Sequence, residues 1–330
     1  MKTEKRTIVI VIIFGGILLA ILLATPSGIV SMAGADDGVY YVKSTIWGDG
    51  LWCLDSEGHA KKLFTEKRIT GKLYCYNEQL FYIAEGKLVC FSPETGERNI
   101  VTLSSIGGSD SLTGIRRITP DGVLYVTLSS VTQPNAVWRT CVVDITCGTD
   151  LLLQTTTEYG AFVDQFRWHG QDYSAFLIQG DEDCYHILCD GTEVVEAQEN
   201  VVRYQIEPDY IFLTEVQGDS TQMQLLSPDG ALISPPDAVA SCCLLAERDG
   251  QVLLSVPDET DYGKERLSIW NVRENSILPL SGTVNGTIRN ADTQVVWTPE
   301  TLFIFTPMEK GIDCYRIESD QQLTRIALLN

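Results

Sequence analysis

The sequence predicts an all-β chain: a β-propeller of seven four-stranded blades, preceded by one N-terminal transmembrane helix. Three observations predict it. An apolar run at 7–24, TIVIVIIFGGILLAILLA, carries no charge over 18 residues. Beyond it no long helical periodicity occurs, and short apolar runs alternate with Gly-, Pro-, Asp- and Asn-containing breaks. A turn followed by an aromatic-rich apolar run recurs seven times over about 295 residues, a period of about 42, which is the range of four-stranded propeller blades.

The N-terminal elements come first. Residues 1–6 form a short tail, 7–24 a transmembrane signal anchor and 25–28 a linker, and 29–330 form the propeller. At about 1.5 Å per residue the apolar run reaches roughly 27 Å, close to the thickness of a bilayer's hydrocarbon core. Lys2, Lys5 and Arg6 precede it and Asp36 and Asp37 follow it, so the positive-inside rule leaves the tail in the cytoplasm. The expected address is the cell membrane, single-pass, with the propeller extracytoplasmic. The alternative is a cleaved signal peptide, for which Ala33-Gly34-Ala35 is a small-x-small site. The run is longer than a usual signal-peptide core, and cleavage would remove IVSMAG (29–34), which reads as the first blade's innermost strand. Both points favour an uncleaved anchor.

The blades follow in order. Each has a first strand, and these read IVSMAG, KLYCYN, IRRITP, DQFRWH, VVRYQI, CCLLAE and TQVVWT. A tight turn then leads into the aromatic strand. Asp37-Gly38 precedes VYYV, Asn77-Glu78 precedes QLFYIA, and Asp121-Gly122 precedes VLYVTL. Gln171-Asp172 precedes YSAFLI, Pro208-Asp209 precedes YIFLTEV, Asp249-Gly250 precedes QVLLSV, and Pro299-Glu300 precedes TLFIFT. These are the residue types of hairpin and type I turns. Third strands are LWCLD, KLVCFS, WRTCVVD, CYHILC, MQLLS, LSIWNV and DCYRIE. The fourth are fainter: KKLF, NIVTL, LLLQT, VVEA, LISP, SILPL and LTRIALL. One such meander cannot cover its own two faces, whereas seven arranged radially cover each other. The faint fourth strands leave six or eight blades open, and a β-sandwich pair or another all-β solenoid is the rival architecture.

The stretch GKLVCFSPETGE, 86–97, resembles the strand-turn signature of quinoprotein-type repeats. With the seven-fold pattern it makes the chain similar to bacterial membrane-anchored propellers of the WD40-like, YVTN-like and quinoprotein-like group. No WD dipeptide pattern recurs. The resemblance implies a surface-located seven-bladed domain, and its motif reflects hairpin mechanics more than chemistry.

Composition narrows the partners. The net charge is -20, which disfavours nucleic acid, because phosphate binding needs a basic surface. A basic peptide, a metal cation or a cationic polymer suits such a field better. Ten cysteines in an exported chain suggest disulfides. Cys53 and Cys90, however, fall at equivalent points of neighbouring repeats, roughly 10 Å apart or more and beyond disulfide reach. Cys141 and Cys147, flanking a turn, are the best candidate pair. Cys184 and His186 share a strand face, but no second CxxC or HxxxH pair completes a zinc site. No cofactor or metal is expected.

Any site is expected on one face. Turns between first and second strands are minimal. Longer segments fall on the opposite side: 43–50, 128–135, 179–183, 215–221 and 257–265, with the inter-blade stretches 104–114 and 281–290. Loops carry function disproportionately. Their candidate ligand-binding residues are Trp47, Asp49, Asp181, Glu182, Asp183, Asp219, Asp258, Glu259, Asp261 and Tyr262, a carboxylate rim with aromatic surface. No G-x-S-x-G, H-E-x-x-H or sialidase-type Asp box occurs, so no catalytic residue is assigned. The expected function is a non-catalytic ligand-binding or protein-interaction scaffold, with a protein or cell-wall glycan as partner. The alternative is a glycan-active hydrolase or lyase using acidic loop residues.

Overall fold

The computed structural model describes residues 29–329 apart from 36–37, 46–47, 108–109, 120, 131–137, 156–160, 179–183, 195–200, 218–219, 240–241, 259, 262, 286–293, 299–300, 309–310 and 318–320. The expected tail, anchor and linker, 1–28, lie outside the described residues. Among the described residues no helix is long and apolar enough to cross a membrane.

Seven separate four-stranded antiparallel sheets form, each a meander of four consecutive strands. Blades 1 to 7 span 29–66, 69–100, 110–155, 161–193, 201–233, 243–285 and 294–329. Their innermost strands are Ile29–Ala35, Ile69–Tyr76, Asp110–Ile118, Ala161–Trp168, Val201–Ile206, Cys243–Arg248 and Gln294–Trp297. The expected seven blades are therefore what this chain builds.

The aromatic second strands explain the packing. Leu80, Phe81, Tyr82, Ile83 and Ala84 are all buried, a continuous run rather than an alternating one. Side chains still alternate in direction. Leu80, Tyr82 and Ala84 join Tyr40 and Val42 of blade 1, while Phe81 and Ile83 join Leu124 and Val126 of blade 3. A strand covered on both faces needs apolar residues at every position. The two-residue hairpins use left-handed pairs: Asn77-Glu78, Glu85-Gly86, His169-Gly170, Asp190-Gly191 and Asp249-Gly250 all have positive φ. That is type I′ geometry, whose twist matches that of the strands. The blade 4 turn thus lies one pair earlier than Gln171-Asp172, because Gly170 supplies the second left-handed position.

Two expected loops shrink. Strands Gly38–Thr45 and Gly48–Leu54 run through 43–50, and Ile211–Gln217 and Ser220–Leu226 run through 215–221. Pairing continues to Thr45↔Gly48 and Gln217↔Ser220, so polar residues near the tips remain in the ladder. In blade 4 the outer strand is Thr192–Glu193, ahead of the expected VVEA. None of the ten cysteines forms a disulfide. Cys141 is buried beside Ser105, while Cys147 is exposed beside Thr149, so the expected pair faces different surroundings.

Polar contacts between successive blades repeat at the sequence period. The Tyr74 hydroxyl donates to the Arg116 carbonyl, the Arg167 N–H to the Tyr125 hydroxyl, the Trp168 indole to the Glu207 carbonyl and the Gln205 amide to the Leu245 carbonyl. These partners lie 42, 42, 39 and 40 residues apart.

Candidate functional site

Of the expected site residues, Asp49, Asp258 and Asp261 are described; Trp47, Asp181, Glu182, Asp183, Asp219, Glu259 and Tyr262 lie outside the described residues. Asp49 is 5% exposed. It accepts the Ser44 hydroxyl at 2.6 Å and the Ile69 N–H at 2.5 Å, which ties blade 1 to the first residue of blade 2. Asp258 and Asp261 share one loop of blade 6. Asp258 accepts the Thr260 N–H at 2.8 Å and its hydroxyl at 2.7 Å, and these bonds hold its carboxyl below the usual range. Asp261 pairs with Lys264 at 2.5 Å. Among the described residues, then, the structure groups two of the expected carboxylates, both turned onto their own loop, and sets the third apart in a blade junction.

A different cluster forms around the propeller axis. Six of the seven innermost strands are interrupted by a bulge against their second strand. A bulge leaves a residue out of the ladder and re-aims its side chain. In blades 1, 5 and 6 the residue skipped is Val30, Val202 or Leu245. In blade 2 the skipped stretch is Gly71-Lys72-Leu73, and in blade 3 one skipped residue is Arg116. Lys72 and Arg116 are both exposed.

These side chains are coupled electrostatically to groups of other blades. Lys72 of blade 2 acts on Glu207 of blade 5, and Arg116 and Arg117 of blade 3 act on both Tyr74 of blade 2 and Tyr204 of blade 5. Blades 2 and 5 are not neighbours, nor are 3 and 5, so this coupling acts across the central channel. Arg117 lies over the Phe166 ring, 4.3 Å from its centroid. Burial lowers its pKa to about 10, which still leaves it charged at neutral pH. Burial also raises the phenols of Tyr74 and Tyr204 to about 12, so both are neutral donors. Tyr204 packs edge-on against Tyr185 with centroids 5.1 Å apart.

The carboxylate opposite is Glu207, half-buried just past the innermost strand of blade 5. Its Oε1 accepts the Gln205 amide at 2.5 Å and its Oε2 the Glu247 N–H at 3.1 Å. Desolvation raises its pKa to about 7 against these bonds. Glu247, 1% exposed, accepts the N–H groups of Asp209 and Gly250, each at 2.8 Å, and burial raises its pKa too.

Glu207 belongs to the turn joining first and second strands. The cluster therefore sits toward the short-turn mouth of the channel, opposite the face where the long loops were expected to build a site. Sequence reasoning missed it. The available signal was charge inside an innermost strand, Lys72 in KLYCYN and the Arg116-Arg117 pair in IRRITP. Among the described residues no group of three or more His, Cys, Asp or Glu could hold a metal ion.

No family model and no curated protein matches the chain. Solved structures do. The β-propeller domain of the Trilobed protease from Pyrococcus furiosus, described as having an open velcro topology, is 10% identical at a TM-score of 0.61, over 93% of this chain and 97% of that one. An oligogalacturonate lyase in complex with manganese is 13% identical at 0.60, over 88% and 89%. The Pyrococcus horikoshii acylaminoacyl peptidase is 11% identical at 0.62; it matches 92% of this chain, which spans about half (53%) of that enzyme. At these identities the likeness is one of fold, and function must be argued from the site.

Proposed function

We propose that the chain is a membrane-tethered, extracytoplasmic β-propeller that binds a ligand or protein partner without turning it over, and that its site is the central channel. The observation that carries this reading is the linkage of innermost strands from blade to blade, the Tyr74 hydroxyl on the Arg116 carbonyl and Arg117 over the Phe166 ring, with charge coupling from Arg116 and Arg117 to Tyr204 of blade 5. Side chains from distant parts of the sequence converge there on a surface concave by construction, the usual setting of a ligand site. The uncharged run at 7–24 and its basic flank support the tether.

Two measurements test it. In cells, the full chain should stay in the membrane pellet after alkaline extraction, with the propeller digested by externally added protease. A photo-crosslinking residue at position 116 should capture a ligand or partner that the same residue at Thr95, on an outer turn of blade 2, does not. Release by alkali, protection from protease or equal capture at both positions would count against the reading.

One observation favours the glycan-active alternative. A carboxyl group poised near neutral pH beside a cation is a competent proton donor or acceptor. Glycan cleavage by the purified chain that disappears in Glu207→Gln would establish catalysis and displace the binding-only reading.

A further inference from the structure

We infer that the junction of blades 2 and 3 holds a second site, separate from the central channel, for a small organic cation: a single ring or branched chain that carries an ammonium group. It stands independently of the channel reading.

The site exists because blade 2 is short at its rim. Its outer strand, Arg98–Ile100, has three residues, against seven in each of blades 1 and 3. Beyond Ile100 the chain crosses to blade 3 as a strap. At one end the Val101 N–H donates to the Leu88 carbonyl at 2.9 Å. At the other, Asp150 accepts the Ser104 N–H and hydroxyl, each at 2.8 Å, and the Ser105 N–H at 2.6 Å. Beside the strap lies a cavity of about 160 Å³. Phe81, Val101, Leu103, Val143 and Ile145 supply its apolar wall, and Asp144 and Asp150 are the charged residues in its lining.

The preceding junction shows what is missing. Between blades 1 and 2, Phe64 packs on Phe91 with ring centroids 4.6 Å apart. Phe91 is paired with Leu80, as Val143 is with Leu124 one blade on. Phe64 is paired with Leu51, and Val101 bonds to Leu88; these two leucines each stand two residues before the equivalent cysteines, Cys53 and Cys90. Val101 and Val143 thus take the places of the two phenyl rings, and both line the cavity. An apolar cavity of about 150 Å³ holds one benzene molecule, so a single ring or a leucine-sized chain is the body that fits.

Charge sets the rest of the ligand. Asp144 accepts the Thr146 N–H, the Thr146 hydroxyl and the Cys147 N–H on Oδ1, at 2.9, 2.6 and 3.1 Å. The Thr146 hydroxyl, the Cys147 thiol and the two N–H groups hold its carboxyl well below the usual range. At Asp150 burial pushes the other way, but the donors of Ser105 and Ser104 outweigh it and bring the carboxyl to about 2. Both are therefore anionic at neutral pH. Arg98, the one cation of the adjoining outer strand, is held by Glu66 at 2.7 Å. An apolar chamber whose lining holds two carboxylates and no cation favours an ammonium group and disfavours a carboxylate.

The test is calorimetric titration of the full-length protein in detergent, at 0.15 M salt and pH 7, with 2-phenylethylamine and with 3-phenylpropionate, which share a ring and differ in charge. The amine should bind about tenfold more tightly or better, the scale of one charge-assisted contact. Asp144→Asn keeps the Oδ1 acceptor of its turn and should weaken the amine about tenfold, whereas Asp258→Asn, on the blade 6 loop, should leave it unchanged. Val101→Phe restores one of the two rings and should abolish amine binding while keeping or raising the melting temperature. Binding of neither compound, or equal binding of both, would overturn the cation assignment. Equal weakening by Asp144→Asn and Asp258→Asn would show attraction to the net charge of -20 alone and overturn the site. Undiminished binding by a folded Val101→Phe would overturn the placement, and if that variant does not fold, the contrast between Asp144→Asn and Asp258→Asn decides it.

Discussion

Asp49 illustrates how one residue type serves two ends. In the sequence it stands with acidic loop residues; in the structure it is a buried acceptor that joins two blades. Asp49→Ala should leave the Ile69 N–H unpaired in a buried junction, costing about 2–3 kcal/mol of unfolding free energy measured in urea, with no change in channel binding. Glu207 makes the opposite point, because its environment and not its type defines it. Its pKa is about 7 in the folded protein against an ordinary 4.5, so the folded state holds a proton that the unfolded state releases. Stability from this group is full below about pH 4.5 and is lost as pH rises through 7. The upper bound is about 3 kcal/mol, reduced by the water that reaches the half-buried side chain. Melting temperature against pH should therefore fall less steeply between pH 4.5 and 7.5 in Glu207→Gln than in the native chain; an unchanged slope would show that Glu207 titrates normally.

At the scale of the element, legibility followed burial. Second strands such as LFYIA were readable because both their faces are covered, and Asn77-Glu78 and Asp249-Gly250 were readable because left-handed turns demand few residue types. Loop tips were not, since Ser44, Thr45 and Ser220 pair through backbone groups to which hydropathy is blind. Nor were the bulges, although they aim the candidate site, because a skipped residue leaves no mark in a period of two. Gly71 shows what a bulge requires. It has φ +75°, and a Cβ there would lie 2.7 Å from the Gly114 backbone of blade 3. Gly71→Ala should destabilise by more than the roughly 1 kcal/mol of left-handed strain alone. Because Lys72 is the next residue, it should also disturb the channel. The junction of blades 6 and 7 carries a milder defect. Ser255 and Thr306, each 1% exposed, sit beside its apolar cluster with hydroxyl oxygens that find no hydrogen-bond partner among the described residues. Thr306→Val, of the same shape, should raise stability by up to about 1 kcal/mol in thermal unfolding; a loss would reveal a partner such as buried water.

At the scale of the whole molecule the ring has one junction unlike the rest. Every blade is one continuous stretch of chain, so no strand from one end completes a sheet begun at the other. Blades 1 and 2 are joined covalently and by the bonds of Asp49 and Ser31 to the Ile69 and Leu73 N–H groups. Blades 7 and 1 lack the covalent link. They meet through Phe303, Phe305, Val296 and Cys314 against Met32, Val39, Tyr41 and Leu54, with Arg316 reaching the Ser56 carbonyl. Packing therefore carries the closure, and local opening follows the weakest contiguous unit. Phe305, 1% exposed, lies in this seam. Phe305→Ala should cost about 3–5 kcal/mol, and hydrogen exchange should rise first in Val39–Val42 and Leu302–Phe305 while Leu80–Ala84 stays protected. Equal loss of protection in all seven blades would mean that the ring opens as one cooperative unit. A ligand held in the central channel would in turn favour the closed ring by mass action.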